Sequence, residues 1–435
     1  MRLDQITLKN FRRFDQLTVD FHPELTMIVA RNGQGKTTVL DAATALLGPF
    51  AGAFDLGKSK HIDVKDARYQ RKSERSDSEQ QFPVTLTARI APLKETISRE
   101  LNGVKSKTTI KGAAPLSHYG KTLMEQVRSL DDVSLPMLAY YGSGRLWNSH
   151  KNMQRKSVLS ESRTMGYEDC FSSASSFTQV QQWMSKATYA ALQQQNMDAY
   201  NEYPLQDQID GIQQTVDRVL ENQDWSGFHY SMQHEELAMT HPEFGVLPVS
   251  MLSDGVRAMV SLVADMAWRC AKLNPHLGQK AQTETDGIAF IDEVDMHLHP
   301  EWQQTVMGSL QNAFPKMQFI ATTHSPQVLS TVPAQCIRVI DGGHVHTAPS
   351  GTKGAESSRI LKCILGVETR PPADENTQLL KAYEKLVYAD QWNSPEAREQ
   401  RTRLDDIFSG EEPKLTELDL YIENREWELD LEKDQ

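Results

Sequence analysis

Long apolar runs are the first thing missing from this 435-residue chain. No stretch approaches the roughly 20 consecutive apolar residues that cross a bilayer as a helix, so no membrane span is expected. The opening Met1-Arg2-Leu3-Asp4-Gln5 carries no apolar segment of the kind that starts a secretory leader, so export is not expected either. Cysteine is scarce: Cys170, Cys270, Cys336 and Cys363 are scattered, with no CxxC pair. That spacing argues against a disulfide framework and against a zinc site, and a reducing cytoplasm fits. Internal repeats and low-complexity tracts are absent from the sequence, and no heptads run on long enough for an extended coiled coil.

Basic charge is also short, but unevenly. The formal net charge is −12. Residues 371–435 hold 18 acidic and 8 basic side chains, a balance of −10, which leaves −2 for residues 1–370. The body is close to neutral and the tail is acidic, a poor contact for nucleic acid and a better solvated cap or docking surface for a basic partner. The tail's apolar positions Leu415, Leu418, Leu420, Ile422, Trp427 and Leu429 are the candidates for such docking.

What is present is concentrated in short segments. Leu25-Thr26-Met27-Ile28-Val29 reads as a strand and Val39 through Leu47 as a helix, which Gly48-Pro49 is expected to stop. Between them lies Ala30-Arg31-Asn32-Gly33-Gln34-Gly35-Lys36-Thr37-Thr38. A strand, a glycine-rich turn and a helix N-terminus opening on Lys-Thr is a phosphate-binding loop: backbone N–H groups cradle an anion and the helix dipole favours its charge. Asn32, Gly33, Gly35 and Thr38 belong to that cradle. Lys36 would reach the β- and γ-phosphates, and the Thr37 hydroxyl would hold Mg²⁺. Ala30 stands where the first glycine is usual, a position that tolerates a methyl group.

Gly287-Ile288-Ala289-Phe290-Ile291 is a second apolar strand, ending in Asp292-Glu293. In the Walker B pattern this resembles, Asp292 would place Mg²⁺ and Glu293 would polarise the attacking water. Ser253-Asp254-Gly255 opens the apolar helical run Ala258–Cys270, again offering N–H groups to an anion. Val294-Asp295-Met296-His297-Leu298-His299-Pro300 follows Glu293, and Gln318–Ala321 is an apolar strand ending in Thr322-Thr323-His324-Ser325-Pro326. The remaining body reads as strands over 2–29 and 82–101, a polar loop over 51–81, and a mainly helical segment over 171–240. Tyr140-Tyr141-Gly142-Ser143-Gly144-Arg145-Leu146-Trp147 reads as a strand ending in a turn, where Arg145 either senses a phosphate or covers Trp147.

The order phosphate loop, signature segment, Walker B, D-loop and H-loop resembles ABC-type ATPases. The resemblance implies an α/β fold: an ABC-type P-loop ATPase head of the RecF/SMC kind, with a mixed sheet and flanking helices, a helical insertion and a C-terminal helical tail. The expected division is an N-terminal ATPase lobe over 1–150, a helical insertion or lid over 151–245, a C-terminal ATPase lobe over 246–370 and an acidic helical tail over 371–435. It also implies ATP and Mg²⁺ as cofactors, His324 as the γ-phosphate contact, and Ser253 and Gly255 acting in trans across a homodimer or higher homo-oligomer. The 256 positions between Lys36 and Asp292 are many for a transporter cassette and far too few for SMC arms, and resemble RecF-like and OLD-like ATPases. Asn10-Phe11-Arg12 resembles the element those proteins place near adenine, making Arg12 a nucleotide-binding candidate. The Q-loop glutamine has two candidates, Gln80 and Gln81.

The whole chain resembles the PtuA-type ATPases of Septu and related retron antiphage systems. The match rests on Ala139–Trp147, Leu252–Arg257, Asp292–Pro300, and Ile364-Leu365-Gly366-Val367 through Arg370-Pro371-Pro372. This implies a PtuB-like HNH nuclease subunit as partner, with phage or plasmid DNA reached through the complex. About 110 residues follow His324, few for a Toprim nuclease domain plus linker. The late carboxylates Glu417, Asp419, Glu428 and Asp430 fit a solvated helix better than a metal site, so no nuclease site is expected in the chain itself. The competing reading is a RecF-like DNA-repair ATPase, which would need basic contacts such as Arg68–Arg75 and Lys105–Lys111 and a steep salt dependence.

Overall fold

The computed structural model describes residues 1–71, 77–144, 162–172, 177–194 and 205–433. Two compact units result, Met1–Leu365 and Gly366–Gln435. Arg145 and Trp147, most of the insertion's start, and the second half of the Arg68–Arg75 segment lie outside the described residues. Among the described residues no helix is long and apolar enough to cross a membrane.

The first unit runs β1 (Arg2–Phe11), β2 (Phe14–Asp20), β3 (Leu25–Ala30), α1 (Lys36–Ala51), β4 (Tyr69–Arg71), β5 (Ser78–Gln80), β6 (Val84–Ala91), β7 (Ile97–Leu101), α2 (Ala114–Arg128), β8 (Met137–Tyr141), α3 (Phe177–Gln194) and α4 (Leu205–Leu220). It continues through β9 (Ser226–Ser231), β10 (Glu236–His241), β11 (Gly245–Pro248), α5 (Asp254–Leu273), α6 (Ala281–Glu284), β12 (Gly287–Ile291), α7 (Pro300–Gln303), α8 (Val306–Ala313), β13 (Met317–Thr322), α9 (Pro326–Leu329), β14 (Ile337–Asp341), β15 (His344–Thr347) and α10 (Ser357–Cys363).

Two sheets organise it. β2-β1-β6-β7 is antiparallel, with inward residues alternating along β6. The second sheet has the order β15-β14-β3-β13-β12-β8, its five strands from β14 to β8 parallel and β15 antiparallel at the edge. Every residue of β3, β8, β12 and β13 is buried. Strands covered on both faces must be apolar throughout, which is why they read as continuous runs. Helix α1 lies between the sheets, touching β1 and β6 on one and β3 and β13 on the other. Strands from both ends of the chain interleave in the parallel sheet, so the expected N- and C-terminal lobes share one core.

Helix α5 buries most of its length against β8, α3 and α4, with Trp268 fully enclosed. A buried ion pair anchors it: Arg269 Nε meets Asp265 Oδ2 at 2.8 Å, Tyr141 at the end of β8 donates to the same oxygen at 2.6 Å, and Arg269 Nη1 donates to the Gly166 carbonyl at 2.7 Å. Both donors converge on Asp265 Oδ2, and Arg269 gains the Gly166 carbonyl as a further acceptor, which offsets part of the cost of burying the charges.

Four expectations need correction. Helix α1 does not stop at Gly48-Pro49 but continues to Ala51. Pro49 has no N–H for the Ala45 carbonyl; the buried Arg99 of β7 supplies the donor, with Nη1 bonded to Ala45 O and, at 2.7 Å, to Lys60 O. Burial pushes the Arg99 pKa down to about 10. The segment read as mainly helical holds α3 and α4 but then the antiparallel sheet β11-β10-β9. The consecutive buried Leu237-Ala238-Met239 carry no period that separates strand from helix. The polar loop over 51–81 includes the short pair β4–β5.

The fourth correction concerns the tail. The second unit is three helices, α11 (Glu375–Tyr388), α12 (Pro395–Phe408) and α13 (Pro413–Lys433), around Leu380, Tyr383, Val387, Ala397, Leu404, Leu415 and Leu418. Leu415 and Leu418 therefore fill its own core and are not docking positions, whereas Leu420 and Trp427 are exposed. Asp419 pairs with Arg401, Glu417 with Lys414 and Glu428 with Arg425.

Replacing Arg99 by Met leaves two buried carbonyls without their donor. At about 1–3 kcal/mol for each unsatisfied group, the expected loss is about 2–6 kcal/mol by denaturant unfolding; a loss below about 0.5 kcal/mol would contradict the capping role.

Candidate functional site

The phosphate loop links β3 to α1. Its last glycine, Gly35, is the N-cap residue of α1 with φ 98°. A side chain there would meet the Phe14 ring at 2.6 Å, so both conformation and space demand glycine. α1 then presents Lys36 and Thr37 at its first turn, with no acidic side chain in that turn to compete for an incoming anion.

Three segments far apart in sequence meet here. Thr37 Oγ1 donates to Asp292 Oδ2 at 2.9 Å. Lys36 Nζ reaches the Ala30 carbonyl at 3.3 Å and His324 Nε2 at 2.5 Å. Arg12, Arg13, Asn32, Gly33, Gly35, Lys36, Thr37, Thr38, Glu293 and His324 line an open cleft of about 710 Å³. Asp292 sits just behind it, buried. The convergence follows from topology: β3, β12 and β13 are parallel, so their C-terminal ends open on the same edge, where α/β sheets hold ligands.

Glu293 adopts φ 50°, the left-handed region that costs a residue with a side chain of order 1–3 kcal/mol and clusters at functional sites. Thr322, the last residue of β13, holds that turn: its hydroxyl accepts from the Glu293 N–H at 2.8 Å and donates to Asp292 Oδ1 at 2.6 Å. Thr323 donates to Asp295 Oδ1 at 2.6 Å, and Ser325 to Gln303 Oε1 at 2.7 Å. In the sequence these hydroxyls stood at the polar end of an apolar strand with no role assigned to them; a Thr-Thr pair after Phe319-Ile320-Ala321 was the available signal. Arg13 was also missed. It lines the cleft and donates to the Gly33 carbonyl.

Arg12 is in the cleft wall, held by Asp41 at 2.8 Å and Asp66 at 2.9 Å. Burial alone would lower its pKa, but those two carboxylates outweigh it and raise it, so the guanidinium stays charged. Lys60 also bonds Asp41, at 2.9 Å.

Among the described residues of one chain, Ser253 and Gly255 do not line this cleft. Ser253 is exposed and caps α5, accepting from the Val256 N–H at 3.5 Å. Gly255 packs against the Asp295–His299 turn: a Cβ would lie 2.6 Å from the His297 carbonyl. Gln80 and Gln81 donate to the Val64 and Glu79 carbonyls and are not cleft residues either.

Burial lowers the Lys36 pKa, and burial first, then the Lys36 charge, lowers that of His324. At neutral pH His324 is therefore neutral, with Nε2 accepting from the lysine and the proton on Nδ1. In the unfolded chain the imidazole takes a proton near 6.5; the folded one takes it only at lower pH. This site accordingly costs no stability above 6.5 and reduces stability as pH falls below it. An imidazole NMR titration should place His324 below 6.5, moving up in Lys36→Met. A native value at or above 6.5, or no response to that substitution, would contradict the pairing.

Comparison with known proteins identifies the family. The family model described as "AAA domain" matches residues 5–224, just over half of the chain. A second, described as "AAA domain, putative AbiEii toxin, Type IV TA system", matches residues 169–330. The chain is 42% identical over 189 residues to the Retron Ec83 probable ATPase of Escherichia coli, covering 43% of this chain and 34% of that relative's length. It is 24% identical over 453 residues to the Retron Vc95 probable ATPase of Vibrio cholerae serotype O1 biovar El Tor, covering 89% of this chain and 84% of that one. It is 41% identical over 81 residues to the Septu protein PtuA of Bacillus mycoides (strain KBAB4), covering 17% and 10%. The chain belongs to the AAA-domain P-loop ATPases, with retron ATPases and Septu PtuA as its relatives.

Proposed function

We propose that this chain is the Mg-ATP-hydrolysing subunit of a cytoplasmic antiphage complex, pairing through ATP and regulating a separate HNH nuclease that acts on phage or plasmid DNA. The observation that carries the ATP reading is the meeting of Lys36 with His324 and of Thr37 with Asp292 across 288 and 255 positions of sequence. The donor set fits a magnesium ion: a hydroxyl and a carboxylate oxygen side by side, both hard ligands, with room left for substrate phosphates and water.

Lys36, Thr37 and Thr38 with the loop N–H groups bind the triphosphate. Thr37 and Asp292 would hold Mg²⁺, which supplies charge neutralisation at the phosphates when bound. Glu293, facing the same cleft, takes the proton of the attacking water. Once the anion draws Lys36 away, the imidazole of His324 takes up a proton at Nε2, releases the one on Nδ1 to solvent and donates to the γ-phosphate. Arg12, fixed by its two carboxylates, lines the same cleft as a nucleotide contact. The exposed Ser253 and the half-buried Gly255 close the site of a second copy, giving a homodimer or higher homo-oligomer.

The nuclease partnership draws its support from the retron and Septu relatives and is tested with the neighbouring gene product. Glu293→Gln should bind ATP with near-native affinity and hydrolyse it about 10²–10⁴-fold more slowly, accumulating as an ATP-bound oligomer that retains the nuclease on co-purification. Lys36→Ala should lose ATP binding. Native turnover in Glu293→Gln would remove the general base, native ATP affinity in Lys36→Ala would remove the lysine, and failure of every ATP state to retain an HNH protein would remove the partner.

A further inference from the structure

We infer that Thr322 is a positioning residue that aims both acids of the site through one hydroxyl group. The inference rests on the Mg-ATP reading above and deepens it.

Thr322 is fully buried at the end of β13, beside β12. A threonine hydroxyl has one proton to give and lone pairs to receive. Here the proton goes to Asp292 Oδ1 at 2.6 Å and a lone pair takes the Glu293 N–H at 2.8 Å. The Thr322 carbonyl takes the next N–H, from Val294, at 3.0 Å. Asp292 is therefore held at both oxygens by threonines, Thr37 on one side and Thr322 on the other. Its carboxylate plane is set before any cation arrives. Glu293 is held at its own N–H in the left-handed turn that swings its side chain from the strand line into the cleft. Thr322 itself is not among the residues lining the cleft, so it acts through the two acids and not on nucleotide.

Position 322 also couples the acids to the phosphate contact, because His324 lies two residues on in the same segment. Thr323 and Ser325 make their own bonds, to Asp295 and Gln303. Neither bond touches Asp292 or Glu293, so these two residues provide a local comparison.

Val matches Thr in shape but removes the hydroxyl. Losing a polar neighbour that orients a metal-binding group typically costs about 10–100-fold in metal affinity or activity. For Thr322→Val in the full chain, Mg²⁺ needed to half-saturate binding of a non-hydrolysable ATP analogue, read by calorimetry without turnover, should rise about 10-fold or more. The kcat should fall about 10–100-fold. Thr322→Ser should restore both to within about threefold of native. Thr323→Val should leave the Mg²⁺ requirement unchanged. If Thr322→Val does not fold, Thr322→Cys, with a weak donor of similar size, takes its place and should show the same direction.

Native Mg²⁺ dependence and native kcat in the folded variant would overturn the inference, even with a lower melting temperature. So would an equal Mg²⁺ shift in Thr323→Val, which would make the effect a general loosening of the strand end. Failure of the native chain to bind the analogue with Mg²⁺ would instead overturn the ATP reading.

Discussion

The parallel pairing of β12, β13 and β3 is the constraint from which the site follows. Ile291 lies opposite Ala321, and Thr322 opposite Ile28. With strands in that register, the residues just past each strand end must share one edge. Asp292 and Glu293, Thr322 through His324, and the phosphate loop arrive together because the sheet leaves them nowhere else to go. A shift of one residue in any of these strands would turn each end residue to the opposite face and carry the polar groups off the shared edge.

Charge and burial at that edge explain the arrangement without nucleotide. Lys36 is buried beside acids and a neutral imidazole, with a carbonyl taking one of its protons. This is a cation held ready at the helix N-terminus, facing an open cleft lined by polar and charged side chains. The Asp292 carboxylate is ordered by the Thr37 and Thr322 hydroxyls, one on each oxygen, and Arg12 is held by Asp41 and Asp66.

Much of this was readable in the residues. The apolar runs at Leu25–Val29, Gly287–Ile291 and Gln318–Ala321 could be recognised as strands because both faces are covered, and the Lys36, Asp292, Glu293 and His324 segments stood at their ends. What local pattern could not supply was tertiary compensation. Gly48-Pro49 looks like a helix stop until Arg99, about 50 positions away, replaces the missing donor. Leu237-Ala238-Met239 has no period to separate strand from helix. Leu415 and Leu418 looked free because the helices that bury them, α11 and α12, are identifiable only once they pack. Thr322 escaped for a similar reason: its two partners belong to the neighbouring strand's turn.

The central claim is that Lys36 of one copy and Ser253 of another serve the same nucleotide. Mixing tests it directly. Lys36→Ala and Ser253→Arg chains, each inactive alone, are combined and assayed for ATP hydrolysis. A mixed pair contains one site with an intact lysine loop from one chain and an intact serine turn from the other. Shared sites predict recovery of a substantial fraction of native turnover on mixing. If exchange of subunits is demonstrated and activity stays at the level of the separate variants, each chain builds its site alone and the shared-site account is wrong.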